Sequence, residues 1–261
     1  MKGPSPGWTV LVTGASSGLG RALACELARV GCSLVLTGRD GARLEETKGL
    51  VKALGAPQVS VFTADLATPG GPEALVGAIR GRGLGINALV NNAGAGRAGA
   101  WTEGSTDQDR DLVRLLVDAP LVLTRAFLPS WREKGWGALL NVASTGAFQP
   151  GPQTALYYAA KAFLMNWSVA LAREERGWLA VTTLCPGALK TGFSTAAGKL
   201  DVPGAPGPER TARVAIQAWR RGRGLVVPGG GNKVLVFLSR LAPVSLTAAV
   251  VERLQLAVKN R

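Results

Sequence analysis

Tyr157 and Lys161 stand four residues apart near the start of a stretch with helical periodicity, residues 155–176, and Ser144 lies thirteen residues before the tyrosine. Side chains four apart share one face of a helix. A free phenol, with a pKa of about 10, is a poor base at neutral pH. An ammonium about 5 Å away, at an effective dielectric of about 20, stabilises the phenolate by about 3 kcal/mol. That lowers its pKa by about two. The pair can therefore move protons without an imidazole, and the composition requires that: the 261 residues include no histidine. A Ser-His-Asp triad, a histidine metal site and an imidazole base are all excluded, and no metal site is expected. Proton transfer falls to Tyr, Lys, Asp, Glu or a thiol. A Tyr and a Lys at this spacing are also ordinary helix-surface neighbours, so the surrounding motifs must separate the two readings. Tyr158 lacks the four-residue spacing to Lys161 and reads as a packing residue.

The strongest of those motifs is T-G-A-S-S-G-L-G, Thr13 to Gly20, which follows an apolar run and opens a helical one. Gly14, Gly18 and Gly20 let the backbone turn tightly and approach a diphosphate, and the helix N-terminus offers free N–H donors and a partial positive charge. With strand, turn and helix in this order, the segment Gly14, Ser16, Ser17, Gly18, Leu19, Gly20 reads as a dinucleotide-binding turn. At the end of the second apolar run comes Thr37-Gly38-Arg39. NAD-binding sheets place an acidic residue there to accept the ribose 2′-hydroxyl. Arg39 instead suits a 2′-phosphate through forked, charge-assisted hydrogen bonds, which points to NADP(H), with Arg43 as a second contact. The alternative is a solvated arginine before Asp40. Asp65 and Leu66 follow the third run; the Asp65 carboxylate can accept from an adenine amino group, or serve as a turn or helix-cap aspartate. Asn91-Asn92-Ala93-Gly94 closes the fourth run, where small residues leave room for a cofactor; Asn91, Ala93 and Gly94 are assigned to it.

Elements must hold these residues together. β-branched runs at 8–13, 33–37, 59–63, 88–91, 138–144, 180–185 and 225–227 alternate with helical stretches at 18–30, 42–54, 73–80, 107–131, 155–176 and 209–220. Such alternation argues for βαβ units and a parallel sheet covered on both faces. Right-handed crossovers then give an α/β fold, a single doubly wound Rossmann-type domain over residues 1–261. The segment 195–208, with three prolines and three glycines, reads either as a substrate-covering loop or as a plain surface connection.

Hydrophobic residues make up 47% of the chain and charged ones 18%, which excludes disorder as the main state. Cys25, Cys32 and Cys185 are an odd, widely spaced set and read as small buried apolar residues. They and the lack of an apolar run in residues 1–7 point to the cytoplasm. The net charge is +13. Arg220-Arg221-Gly222-Arg223 is its densest cluster, but no nucleic-acid-binding motif or interleaved aromatic pattern accompanies it, so no specific nucleic-acid partner is expected. The tail at about 232–261 carries Val234, Leu235, Phe237, Leu238, Leu241, Val244, Leu246, Val250, Leu254 and Val258 with Lys233, Arg240, Arg253, Lys259 and Arg261 between them. It suits an amphipathic basic helix pair, broken at Pro243, that packs on another subunit or over the cleft, or makes peripheral contact with an anionic membrane.

Taken together, these residues resemble the short-chain dehydrogenase/reductase family over most of the chain, from Thr9 to about Val227. The 13–20 segment is similar to that family's cofactor fingerprint, Asn91–Gly94 to its N-N-A-G segment, and Ser144, Tyr157 and Lys161 to its catalytic Ser, Tyr and Lys in order and spacing. Pro186-Gly187-Ala188-Leu189-Lys190-Thr191 resembles its P-G-x-x-x-T segment, which implies that Pro186, Gly187, Leu189 and Thr191 meet the nicotinamide end of the cofactor. The resemblance implies that Tyr157 exchanges a proton with a carbonyl or alcohol oxygen, that Ser144 hydrogen-bonds the same oxygen, and that Lys161 binds the nicotinamide ribose and lowers the Tyr157 pKa. A hydrophobic carbonyl or alcohol substrate and a homodimer or homotetramer follow by the same analogy. One departure stands out. The family's relay asparagine falls at about Leu116, a residue that cannot hold a water. Asp118 is close in sequence but on a different helical face. A catalytically weak or inactive NADP-binding sensor or scaffold is therefore the alternative reading.

Overall fold

The computed structural model describes residues 3–198, 200, 202 and 204–259, with side chains to residue 257. Seven strands form one parallel sheet: β1 (Thr9–Thr13), β2 (Ser33–Gly38), β3 (Val59–Thr63), β4 (Ala88–Asn91), β5 (Gly137–Val142), β6 (Leu179–Leu184) and β7 (Leu225–Val226). Their order is β3-β2-β1-β4-β5-β6-β7, so the direction of winding reverses between β1 and β4. The helices are α1 (Gly18–Val30), α2 (Gly41–Ala53), α3 (Gly71–Gly81), α4 (Thr106–Val113), α5 (Ala119–Lys134), α6 (Ala155–Glu174), α7 (Phe193–Ala196), α8 (Pro208–Arg220), α9 (Gly230–Leu241) and α10 (Val244–Lys259).

The two-residue period of a strand sends alternate side chains to opposite faces, and both faces here are apolar. Val10, Val12, Leu34, Leu36, Val90 and Leu140 pack with Leu23 and Leu27 of α1, Leu44 and Val51 of α2, and Ile216 and Trp219 of α8. Leu11, Val35, Leu89, Leu139 and Val181 pack on the other face with Leu75 and Ile79 of α3, Phe127 and Trp131 of α5, and Leu171 of α6. Trp131 is fully buried and donates its indole N–H to the Ile86 carbonyl at 2.7 Å, so its polar atom is satisfied within the core. Cys32 and Cys185 are buried and Cys25 half-buried, all three as free thiols.

The stretch expected as one helix over 107–131 is instead two helices joined by a π turn, Arg114–Asp118. The Ala119 N–H bonds to the Arg114 carbonyl, five residues back. The cause lies in Pro120, which has no N–H to return to the Leu116 carbonyl four residues earlier, so the α-helical ladder is interrupted there. In the loop after β6, Phe193–Ala196 forms α7, while Lys199, Asp201 and Pro203 lie outside the described residues. So do Met1, Lys2 and Arg261, and the side chains of Val258 and Lys259.

Candidate functional site

The C-terminal ends of the strands open onto a cleft of about 910 Å³, at the point where the strand order reverses. That is where open parallel sheets leave a crevice for ligands. Gly14, Ser16, Ser17, Gly18, Leu19 and Gly20 follow β1 and line one end. Gly14 has φ +65°, and a Cβ there would lie 2.9 Å from the Ala93 Cα. A Cβ at Gly20 would run into the Gly14 carbonyl. Both glycines thus let the turn, the start of α1 and the segment after β4 meet backbone to backbone. Ser17 caps α1 with no side-chain hydrogen bond, so the N–H groups of the first turn still face the cleft unpaired by a cap.

Arg21, which the motif reading passed over, holds this turn in place. Its guanidinium donates to the Ser16 carbonyl at 2.7 Å, to Thr47 Oγ1 at 2.9 Å and to Glu46 at 3.0 Å. It ties the glycine-rich turn to α2. The signal for it was available: an arginine one turn into a helix whose neighbour helix carries Glu45-Glu46. Arg39 lines the cleft, is exposed, and has no ion-pair or hydrogen-bond partner among the described residues. Arg43 also lines it and pairs with Asp40 at 3.5 Å.

Asp65 and Leu66 line the cleft beyond β3. One Asp65 carboxylate oxygen accepts from the Ala67 N–H at 2.9 Å, so the turn role weighed from sequence is present in the fold. Ala93 and Gly94 line the cleft as expected, but Asn91 does not. Its side chain is buried below β4, donating to Asn141 Oδ1 at 2.9 Å and Thr124 Oγ1 at 3.3 Å. The two-residue strand period turns it away from the crevice; Asn92, one position on, faces the glycine-rich turn and donates to the Thr13 carbonyl at 2.9 Å. Asn91 is therefore corrected from a cleft residue to a link between β4, β5 and α5.

Ser144, Tyr157 and Lys161 line the other end of the same cleft. Ser144 follows β5; its hydroxyl oxygen accepts from the Gly146 N–H at 3.0 Å, and its proton is directed at the Tyr157 phenol. Lys161 is buried, and its ammonium donates to the Val142 carbonyl at 2.7 Å and sits 5.8 Å from the Tyr157 ring centre. Burial decides both pKa values. It pushes the Tyr157 phenol up to about 12, with the Ser144 hydroxyl drawing it partly back. It pulls Lys161 down to about 8, opposed by the nearby Cys185 thiol. In the chain by itself, burial sets the net direction of the Tyr157 shift, upward. Desolvation is the largest cause for both groups, and the ammonium is aimed at the Val142 carbonyl.

Pro186, Gly187, Leu189 and Thr191 line the cleft after β6. The Pro186 carbonyl accepts from the Thr145 N–H at 2.9 Å, tying this segment to Ser144's neighbour. Leu116 is fully buried and packs with Leu112 and Ala160, with Tyr157 against the cluster's edge. The position inferred for the relay asparagine is therefore adjacent to the Tyr–Lys pair, and it is buried and apolar. Tyr158 packs on Gly146 and Gly151 but also lines the cleft and accepts a hydrogen bond from Gln255 of α10 at 3.2 Å. Leu115, Phe193, Leu200 and Val202 make the apolar part of the wall.

The chain is similar to known proteins. The short chain dehydrogenase family profile matches residues 8–200. A ketoacyl reductase, HetN, of a Nostoc species is 30% identical over 216 residues, which are 81% of this chain and 75% of that one. A very-long-chain 3-oxoacyl-CoA reductase of Coprinopsis cinerea is 32% identical over 67% of this chain, which spans 52% of that longer protein. A short-chain dehydrogenase from Sphingobium yanoikuyae, solved in complex with NADPH, superposes with a TM-score of 0.80 at 28% identity, over 90% of this chain and 94% of the other. With the parallel sheet, the glycine-rich turn and the Ser, Tyr and Lys all meeting in one cleft, the chain belongs to the short-chain dehydrogenase/reductase family of oxidoreductases.

Proposed function

We propose that this protein is an NADP-dependent oxidoreductase that interconverts a ketone or aldehyde and the corresponding alcohol on an apolar substrate. The observation that carries this reading is the single cleft lined at one end by the glycine-rich turn and an unpaired Arg39, and at the other by Ser144, Tyr157 and Lys161. The residues present fit a phosphorylated dinucleotide. Gly14 and Gly20 leave no room for side chains where a diphosphate would approach the α1 N-terminus. Arg39 offers an uncommitted guanidinium where an acidic residue would repel a 2′-phosphate. Thr191 lies against Gly18 and, with Pro186, Gly187 and Leu189, would hold the nicotinamide end. Hydride comes from the dinucleotide when it is bound.

The chain's own residues supply the proton and the geometry. With its phenol held near 12, Tyr157 is fully protonated at neutral pH and is poised as the acid that protonates a carbonyl oxygen during reduction. Ser144, whose hydroxyl meets Tyr157 in the chain by itself, donates its proton to the same substrate oxygen and fixes its position. Lys161 stands behind Tyr157 with its ammonium in a low-dielectric site, where it favours negative charge on the phenolate left after transfer. Leu115, Phe193, Leu200 and Val202 favour an apolar substrate and exclude water. The Nostoc and Coprinopsis relatives, named as ketoacyl and 3-oxoacyl-CoA reductases, support a carbonyl beside an acyl chain as the first class to assay. The test is a carbonyl and alcohol panel with NADPH and NADH. Tyr157→Phe should lower turnover about 10²–10⁴-fold while cofactor binding persists.

A second reading rests on Leu116, whose apolar side chain stands beside Tyr157 where the family places a relay asparagine. On that reading the chain is a cofactor-binding sensor or scaffold. Cofactor binding without turnover across the panel, unchanged by Tyr157→Phe, would favour it over the enzyme.

A further inference from the structure

The last two helices present their apolar faces outward. On α9, Val234, Phe237, Leu238 and Leu241 follow the i, i+3, i+4, i+7 spacing of one helical face, yet they are 58–68% exposed. Val236, on the opposite face, is buried. On α10, Leu246, Val250 and Leu254 repeat the pattern at every fourth residue and are exposed, while Thr247 and Val251 are buried against the body. A helix that packs only on its own domain buries its apolar stripe; these two leave it in water. Exposed apolar stripes of this kind mark a docking surface.

Charge selects the occupant. Lys233 borders the α9 stripe and Arg253 shares the outward face of α10, while Arg240 is turned to the body, its guanidinium 5.4 Å from the Phe148 ring centre. Glu252 is the single acidic residue in the two helices. A second copy of the chain would bring these cations against their own images on a protein of net charge +13. An anionic bilayer accepts both the apolar stripes and the cations. Among the described residues no helix is long and apolar enough to cross a membrane, so the contact would be interfacial. The inner side of α10 reaches the cleft, where Gln255 bonds Tyr158 and lines the wall together with the exposed Leu200 and Val202.

We infer that α9 and α10 form an interfacial docking surface for anionic lipid, with the mouth of the cleft set at the membrane. The docking itself stands on the exposed stripes and cations; only its use in delivering an apolar substrate rests on the proposed function. Flotation of the full chain with vesicles tests it, without substrate, so that its failure leaves the reading of the cleft untouched. Mixed phosphatidylcholine–phosphatidylglycerol vesicles should carry the protein at low salt, phosphatidylcholine vesicles much less, and high salt should release a large part of it. Phe237→Asp with Leu241→Asp should weaken binding about tenfold or more with an unchanged circular dichroism spectrum, because both side chains are exposed. Lys233→Glu with Arg253→Glu should abolish the preference for anionic vesicles. No flotation at low salt, or flotation indifferent to both double variants, would overturn the inference. A drop in oligomer size in Phe237→Asp/Leu241→Asp, with no lipid binding by the unaltered chain, would assign the patch to self-association instead.

Discussion

Replacing Lys161 by methionine should change how the stability of the fold depends on pH. The lysine is buried, bonds to the Val142 carbonyl, and is held near 8 instead of its usual 10.5. Below pH 8 the folded and unfolded chains both carry the charge, and folding bears the whole cost of desolvating it, about 3 kcal/mol. Between pH 8 and 10.5 the folded chain has released a proton that the unfolded chain keeps, so stability rises with pH; above 10.5 neither state is charged and the cost is gone. Between pH 7 and pH 9 the gain comes to about 1 kcal/mol. Methionine has a similar unbranched shape and no charge. Its loss of the bond to Val142 weighs equally at both pH values. Tyr157, raised to about 12, destabilises only as pH rises from its unfolded value of 10 towards 12, outside this window. Urea denaturation of both proteins at pH 7 and pH 9 isolates the contribution as a difference of differences. The unaltered chain should gain about 1 kcal/mol more than Lys161→Met over that interval. Equal changes would refute the claim that the fold stores this ammonium desolvated, and a change of opposite sign would show that it is held by an attractive partner.

Three further outcomes follow from the same geometry. Arg39→Asp should reverse the cofactor preference towards NADH, read as the ratio of kcat/KM with the two cofactors, since a carboxylate repels a 2′-phosphate and accepts from a ribose hydroxyl; a retained preference for NADPH would remove Arg39 from that role. Leu116→Asn, which places an amide beside Tyr157, should raise turnover, and an unchanged or lower rate would count against the correspondence with the relay position. Gly20→Ala should lower the melting temperature and weaken cofactor binding together, because its methyl group meets the Gly14 carbonyl; a thermal melt and a fluorescence titration check both.

Much of this protein was determined by local sequence. Strand and helix periodicity is a property of neighbouring residues, so the order of elements, the parallel sheet and the place of the glycine-rich turn could be read directly, as could Tyr157 and Lys161 on one helical face. What depended on the three-dimensional surroundings could not. Asn91 and Asn92 are adjacent and chemically alike, and only the pleat of β4 sends one into the core and the other to the cleft. The π turn at Arg114–Asp118 follows from Pro120, a local signal, but that it brings Leu116 against Ala160 and Tyr157 is a matter of packing. The sign of the Tyr157 shift was decided by tertiary structure alone. Spacing places the ammonium near the phenol, whereas desolvation depends on how many other elements close over the pair, and here it is the largest cause of both shifts. The tail was legible as amphipathic, yet which side of α9 and α10 met the protein and which met water had to await the fold, because helical periodicity defines a face and leaves its direction to whatever it packs against.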